Sequence, residues 1–156
     1  MDIEIIRSKQ DSIARCVSRI QSKTDLSYEA LLEDYDAQDV ITLNLERAVQ
    51  QACDIAAMIL ADTTEQPADT MRGAFDALRR IRVLSNDTAH RMMKSVGFRN
   101  TAVHTYQEID WAIVHNITHE HLQDFSTFVR EIDQYIENTR KSPPAPPSPI
   151  PPPPAL

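Results

Sequence analysis

The sequence predicts an all-α protein that folds as an antiparallel, up-and-down bundle of four main helices. Apolar residues recur every three or four positions over most of the first 140 residues, which is the spacing of a buried helix face. The 156-residue chain has two glycines, and nine of its ten prolines follow Ser142, so helix breakers are rare before that point. Short connections between the periodic segments favour antiparallel neighbours.

The first half of the chain predicts two main helices and a short one. The first runs from about Asp2 to Lys23, and Ser27 can cap a short helical turn that carries Leu31 and Leu32. The clearest helix follows, because its apolar seam keeps a period near 3.5 within a polar segment. This seam consists of Ile41, Leu45, Ala48, Ala52, Ile55 and Ile59.

The second half predicts further helices with apolar faces of the same kind. Asp69 or Thr70 is expected to cap a third helix, "SNDT" (85–88) to form a turn or kink, and the next helical segment to extend up to Gly97. Thr118 is the predicted N-cap of the last helix. The apolar faces comprise Met71, Phe75, Leu78 and Ile81; Met92, Met93 and Val96; Trp111, Val114 and Ile117; and Leu122, Phe125, Val129, Ile132 and Ile136.

Composition divides the chain into a helical domain, residues 1–140, and a proline-rich tail, residues 141–156. The tail contains "SPPAPPSPIPPPPAL", which leans towards polyproline II and cannot bury a core. We expect this tail to be disordered and assign it no function. It is compatible with a ligand for a proline-binding module, but more often such a segment is a spacer.

Charge and hydropathy limit the function classes. The net charge of −7 argues against a protein that simply coats nucleic acid. No apolar run reaches the length of a membrane span, and the N-terminus lacks the layout of a signal peptide. Cys16 and Cys53 lie on apolar stripes, which predicts reduced core residues in a cytoplasmic protein.

Cations nevertheless concentrate in one part of the chain, where the only acids are Asp76 and Asp87. A locally basic surface and a solvated helix face with scattered arginines both fit this pattern. The cations are Arg72, Arg79, Arg80, Arg82, Arg91, Lys94 and Arg99.

The sequence predicts neither a metal site nor a cofactor. His115, His119 and His121 lie close together, and the first two have the i,i+4 spacing of residues on one helix face. However, HExxH is absent, the cysteines do not form a close pair, and Thr118 is expected to begin a new helix between the histidines. The glycine motifs of nucleotide hydrolysis, dinucleotide binding and α/β-hydrolases are absent as well.

One short segment stands out, "FRNTAVHTY" (Phe98–Tyr106), which contains the pattern R-x4-H-x-Y. An arginine four to six residues before a histidine is expected about once by chance in this composition, but the full pattern only roughly 0.01 times. A helix-packing histidine and tyrosine beside a surface arginine is the alternative that this segment leaves open.

"RNTAVHTY" resembles the R-x4-H-x-Y element of the HepT family, the HEPN-domain ribonuclease toxins that are paired with minimal nucleotidyltransferase antitoxins. The similarity includes "LEDYDAQDVITLNLERAVQQACDIA" (Leu32–Ala56) and "HLQDFSTFVREI" (His121–Ile132), in the family's order, and covers about the first 140 residues. The resemblance implies a HEPN-type four-helix bundle that forms a homodimer, with the two motifs facing each other in a cleft at the interface.

The resemblance also implies a toxin that cleaves RNA, either tRNA or mRNA, without a metal ion. Arg99 and His104 would be catalytic, and a nucleotidyltransferase antitoxin would neutralise the toxin by attaching AMP to Tyr106. Asn100 shares a helix face with His104 and could contact substrate, and Glu108 on the same face could orient the imidazole. No membrane association is expected.

The spacing of Arg99 and His104 along a helix sets a condition on their acting together in catalysis. Arg99 and His104 are about 140° apart on an ideal helix. They meet only if the helix starts or distorts near Gly97, or if the partner chain supplies half of the site. A non-catalytic HEPN module that docks a nucleotidyltransferase is the alternative function, and a purely structural helical dimer is a third.

Overall fold

The computed structural model describes residues 1–104, 109–142 and 149–155, with the backbone alone for residues 103 and 104. All regular secondary structure in these ranges is helical, so the predicted all-α fold is confirmed. The helices are α1 (Ile3–Gln21), α2 (Tyr28–Glu33), α3 (Tyr35–Ala61), α4 (Met71–Arg80), α5 (Asn86–His104), α6 (Trp111–Glu120) and α7 (Gln123–Lys141).

The four long helices form a closed ring of neighbours. Helix α1 packs on α3, α3 on α5, α5 on α7, and α7 on α1, while α4 covers α3 and α5 and the short α2 contacts α3 and α6. Phe75 and Phe128, both fully buried, meet edge to face inside this ring with centroids 5.8 Å apart. The apolar seam predicted for α3 is buried along its whole length.

Side-chain caps begin most of the helices where the sequence places them. Ser27 Oγ accepts a hydrogen bond from the Ala30 N–H at 3.1 Å, and Thr70 Oγ1 accepts one from the Gly73 N–H at 3.0 Å. Of the two candidates for the cap of α4, Thr70 is therefore the one used. Each of these bonds satisfies an amide that the helix itself leaves unpaired.

The predicted helix end at Gly97 is wrong, because α5 continues without a break to His104. A single internal glycine costs a helix only about 1 kcal/mol relative to alanine. The burial of Met92 and Val96 before Gly97 and of Ala102 after it outweighs this cost. The motif histidine is consequently part of the same helix as the preceding arginine.

Thr118 is not the N-cap that the sequence predicts. It lies in the last turn of α6, where its hydroxyl donates to the His115 carbonyl at 2.8 Å. Asp110 caps α6 instead, through Oδ1 and the Ala112 N–H at 3.0 Å. A threonine inside a helix can bond the preceding turn in this way, which makes it hard to distinguish from a cap by sequence.

Helix α4 ends in a tight turn built on an arginine. Arg82 has a φ of 62°, in the left-handed region that favours glycine. The Val83 N–H bonds the Leu78 carbonyl at 2.9 Å and the Arg82 N–H bonds the Arg79 carbonyl at 3.0 Å, which is the Schellman pattern. A non-glycine residue in this conformation costs about 1–2 kcal/mol.

Helix α7 anchors the start of α5. Glu131 accepts hydrogen bonds from the Ser85 N–H at 2.6 Å and from the Thr88 hydroxyl, and Ser85 Oγ accepts one from the Thr88 N–H at 3.2 Å. The segment "SNDT", predicted as a turn, is thus the capped beginning of α5. A carboxylate is also favoured at this helix end by the helix macrodipole.

The last helix ends near the start of the proline-rich tail. Helix α7 extends to Lys141, one residue beyond the predicted domain boundary, and residues 149–155 are exposed and have no regular secondary structure.

Among the described helices, none combines the length and the hydropathy needed to cross a bilayer.

Candidate functional site

Arg99 lies near the end of α5 and reaches towards α3. Its Nη2 donates to Gln50 Oε1 at 3.2 Å, and its Nε is buried without a hydrogen-bond partner among the residues that the structure describes. A buried polar group without a partner costs about 1–3 kcal/mol. The guanidinium is therefore held by Gln50 at one nitrogen, while its buried Nε has no acceptor among the described residues.

A network of polar contacts orients Gln50, the hydrogen-bond partner of Arg99. Gln50 Nε2 donates to Asp54 Oδ1 at 3.0 Å, and Lys9 Nζ lies 3.2 Å from Asp54 Oδ2. Because a carboxylate can only accept hydrogen bonds, Asp54 turns the amide of Gln50 so that its oxygen is presented to Arg99. The network links α1, α3 and α5, and it fixes the position of the arginine.

Sequence reasoning did not identify Gln50, Asp54 or Lys9 as part of the site. The available signal was the i,i+4 pair of polar residues on α3, within the segment Leu32–Ala56 that carries the family likeness. That pair looks like an ordinary surface contact until the structure shows the arginine beside it.

The neighbouring cysteine is chemically quiet. Burial, helped by the adjacent Asp54 and opposed by Arg99, raises the pKa of the Cys53 thiol from 9.0 to about 12. Burial likewise raises the pKa of Cys16. Both cysteines are buried and unpaired, which confirms the prediction of free core thiols. At neutral pH neither supplies a thiolate nucleophile.

The rest of the motif is only partly described. Asn100 is exposed on α5, four residues before His104, so the two positions share a helix face. Tyr106 and Glu108 lie outside the described residues. Because α5 is unbroken at Gly97, positions 99 and 104 remain about 140° apart around the helix axis. The distortion that would bring them together within one chain is absent from the described helix.

A cleft of about 870 Å³ lies against the face of α5 that carries Lys94, Gly97 and Thr101. Its floor is apolar and includes Val49, Phe98 and Phe125. At one end, Arg91 pairs with Asp87 at 3.0 Å and with Asp124 at 3.5 Å, so those three charges largely satisfy one another. Arg72, Lys94 and His90 complete the rim.

The predicted basic stretch is thus divided into two groups. Arg79 and Arg80 both pair with Asp76, at 2.9 and 2.6 Å, and these contacts lower the pKa of the Asp76 carboxyl. Arg72 and Lys94 at the cleft have no ion pair within the described part of the chain. Two cations at the cleft, Arg72 and Lys94, are thus left for a ligand.

The histidines of α6 are engaged in local contacts. His115 and His119 stack with ring centroids 4.1 Å apart on one helix, which corrects the prediction that a helix boundary separates them. His115 Nε2 lies 3.2 Å from the Leu26 carbonyl, and His119 Nδ1 lies 2.8 Å from that of His115. In the described ranges, no three potential ligands from His, Cys, Asp and Glu are grouped to hold a metal ion.

A closed helical bundle with an R-x4-H element on the last turns of a long helix is the arrangement expected for a HEPN-type protein. Comparison with known proteins gives the family. The model of the family described as "Ribonuclease HepT-like" matches residues 13–132. The chain belongs to this ribonuclease HepT-like family.

Two curated relatives agree with this assignment. The chain is 32% identical over 126 residues to a protein of Shewanella oneidensis named "mRNA nuclease HepT", covering 81% of this chain and 94% of the relative. It is 27% identical over 132 residues to a "tRNA nuclease HepT" of Aphanizomenon flos-aquae, covering 85% of this chain and 90% of the relative.

Two solved structures share the fold at similar identity. One is a tri-AMPylated Shewanella oneidensis HEPN toxin in complex with its MNT antitoxin, with a TM-score of 0.79 and 32% identity, covering 86% of this chain and 99% of that one. The other is a toxin–antitoxin complex with AMP-PNP, with a TM-score of 0.79 and 31% identity, covering 84% and 98%.

Proposed function

We propose that this protein is the toxin of a toxin–antitoxin pair and that it cleaves RNA with Arg99 and His104. One observation carries the proposal. In a chain of a ribonuclease family, the motif arginine is fixed by Gln50, and that contact uses only one of its three guanidinium nitrogens among the described residues. An arginine held in this way suits a phosphate, which accepts hydrogen bonds from a guanidinium in a fixed geometry.

The reaction is attack of the RNA 2′-hydroxyl on the adjacent phosphorus. A base takes the proton of the 2′-oxygen, an acid protonates the leaving 5′-oxygen, and cations stabilise the phosphorane. A histidine with a pKa near ~6.5 performs either proton transfer at neutral pH. Arg99 stabilises the developing charge. These groups complete the chemistry, so a metal ion is not needed for it.

The site is shared by two chains of a homodimer. Each chain offers one motif histidine, whereas the reaction uses a base and an acid. In one chain the unbroken α5 separates positions 99 and 104 by about 140°. A twofold axis next to the motif brings together two histidines and two arginines, so that His104 of one chain is the base and His104 of the other is the acid.

The substrate is RNA, and the two curated relatives are named for mRNA and for tRNA. Asn100, which is exposed on the face of position 104, contacts the strand, and Glu108 orients the imidazole. The reaction takes place in the cytoplasm, where both kinds of RNA are found.

The proposed antitoxin is a minimal nucleotidyltransferase that attaches AMP to Tyr106. A toxin of this fold, 32% identical to the chain, is tri-AMPylated in its complex with an MNT antitoxin. Nucleotides two residues from His104 add bulk and negative charge to a site built for phosphate. The modification therefore excludes RNA.

Cleavage by variant proteins tests the catalytic assignment. Purified protein is incubated with total RNA and with tRNA, and the fragment ends are analysed. We expect EDTA-resistant cleavage that leaves 2′,3′-cyclic phosphate or 3′-phosphate ends, and its loss in His104→Ala and Arg99→Ala. His119→Ala is the matched control, because it removes an exposed histidine of α6. Wild-type cleavage rates in folded His104→Ala would refute the assignment.

Tyr106→Phe tests the modification separately. It keeps the aromatic ring but removes the oxygen that accepts AMP, so we expect a toxin that stays active, wholly or in part, and escapes the co-expressed nucleotidyltransferase. Growth curves with and without the antitoxin measure this. Full neutralisation of Tyr106→Phe would remove the modification mechanism and leave occlusion by the bound partner, without affecting the ribonuclease assignment.

A further inference from the structure

Arg72 of α4 crosses α5 at the one position where α5 has no side chain. A Cβ added to Gly97 would lie 2.7 Å from Arg72 Nη2, closer than real Cβ contacts allow. The guanidinium therefore rests against the bare backbone of α5, two residues before Arg99. Apart from the helix backbone and the two neighbouring residues, the only other described atom within 4 Å of that Cβ position is Cζ of the same arginine.

Both residues of this contact are unfavourable for their own helices. Glycine inside α5 costs about 1 kcal/mol relative to alanine. Arg72 is in the first turn of α4, which holds no acidic residue, and a cation at a helix N-terminus opposes the macrodipole. Residues that are unfavourable in their own helix and gain no packing in return are expected at functional positions. Arg72 is exposed, so burial does not explain it.

The contact lies on the rim of the 870 Å³ cleft, beside Lys94 and Thr101. Lys94, Gly97 and Thr101 follow one another at helical spacing, and position 104 is the next position on that face. The lining also includes Asp110, whose Oδ1 is already bonded to the Ala112 N–H. The cleft thus has an apolar floor, and its unpaired cations, Arg72 and Lys94, lie beside the face of α5 that leads to position 104.

We propose that Arg72 binds a phosphate of the RNA strand beside the cleavage site, and that the cleft accepts the adjoining nucleotide. This inference rests on the proposed ribonuclease function. Phe98 on the floor offers a surface on which a base can stack, and Lys94 supplies a second cation for the backbone. The two unpaired cations favour a phosphodiester over an apolar protein partner, which would leave their charges buried without a counter-ion.

Gly97→Ala gives a sharp test, because it changes Arg72 without touching its charge. The new methyl group displaces the guanidinium, while the helix gains in intrinsic stability. RNA affinity is measured in the His104→Ala background, using a labelled RNA that the wild type cuts, over a series of salt concentrations. The variants are Arg72→Ala, Gly97→Ala, the double variant, Arg72→Lys, and Arg15→Ala, which removes an exposed arginine of α1 that lines neither described cavity.

We expect Arg72→Ala to weaken binding roughly tenfold or more and to reduce the slope of log affinity against log salt by about one. Gly97→Ala should melt at a higher temperature yet bind more weakly, and the double variant should bind no worse than Arg72→Ala. Arg72→Lys should recover part of the affinity, and Arg15→Ala should have little effect.

Three results would overturn the inference. The first is wild-type affinity in Arg72→Ala. The second is an equal loss from Gly97→Ala whether or not Arg72 is present, because the methyl group then acts on something else. The third is a change of molar mass by light scattering in Arg72→Ala, which would make the cleft a contact between copies or with the antitoxin. If the wild type cuts no RNA, the proposed function fails as well; if it cuts RNA and Arg72→Ala binds normally, only this inference fails.

Discussion

Replacing Gln50 with leucine should impair RNA cleavage although Gln50 does not touch the substrate. Gln50 is the acceptor for Arg99 Nη2 at 3.2 Å, and Asp54 holds its amide in that orientation. A hydrogen bond from a charged donor is worth about 1.5–3 kcal/mol. Since 1.36 kcal/mol corresponds to a tenfold change in rate, we expect kcat/KM to fall by about 10-fold, with roughly 150-fold as the ceiling.

The assay is steady-state cleavage of a defined RNA, with melting temperature measured in parallel to show that the bundle is intact. Gln51→Leu is the matched control, because Gln51 is adjacent on α3 and contacts Lys9 at 3.5 Å with no contact to Arg99. A positioning role predicts that Gln50→Leu costs less than Arg99→Ala and that Gln51→Leu costs almost nothing. Equal rates for Gln50→Leu and Gln51→Leu would refute the reasoning.

Three further predictions concern stability and reactivity. Arg82→Gly should raise the free energy of unfolding by about 1 kcal/mol and the melting temperature by roughly 2–4 °C. Arg82→Ala should raise neither, because alanine keeps the Cβ that opposes a φ of 62°. A lower melting temperature for Arg82→Gly would contradict this prediction. Cys53 should resist thiol reagents at pH 8 in the folded protein, and rapid labelling there would show that it is not buried in solution. Since its folded pKa of about 12 lies above the ordinary 9.0, its contribution to stability is complete below pH 9.0 and is lost as pH rises towards 12. Deleting residues 142–156 should leave the melting temperature unchanged within about 1 °C, because a proline-rich segment adds no core; a larger loss would place the tail on the bundle.

The fold was predictable because its signals are local and repeated. The seam of α3 and the caps at Ser27 and Thr70 follow from residue spacing and from hydrogen bonds within one turn. The errors at Gly97 and Thr118 arose where tertiary packing or a hydrogen bond back to the preceding turn competes with a local stop signal. A sequence pattern does not reveal which of these effects is stronger.

The candidate site was predictable only along one helix. Arg99 and His104 could be selected because the R-x4-H-x-Y pattern is rare and resembles that of a known family. Their supporting residues could not be selected, because Gln50 contacts the arginine from α3, and Lys9 contacts Asp54 of the same network from α1. Contacts between residues 42 to 49 positions apart depend on how the bundle packs, and no local rule contains that information.

The order of contacts around the bundle also has a consequence for folding speed. Each long helix packs on the next long one in the chain, and among the described helices the contacts of α1 with α7 and of α2 with α6 join distant segments. Helical bundles of this kind fold in microseconds to milliseconds, whereas synthesis adds about 5–20 residues per second. We therefore expect the domain to reach its native state as soon as α7 has been made. An antitoxin would then meet a finished enzyme rather than a folding intermediate, so any neutralisation has to act on the native surface.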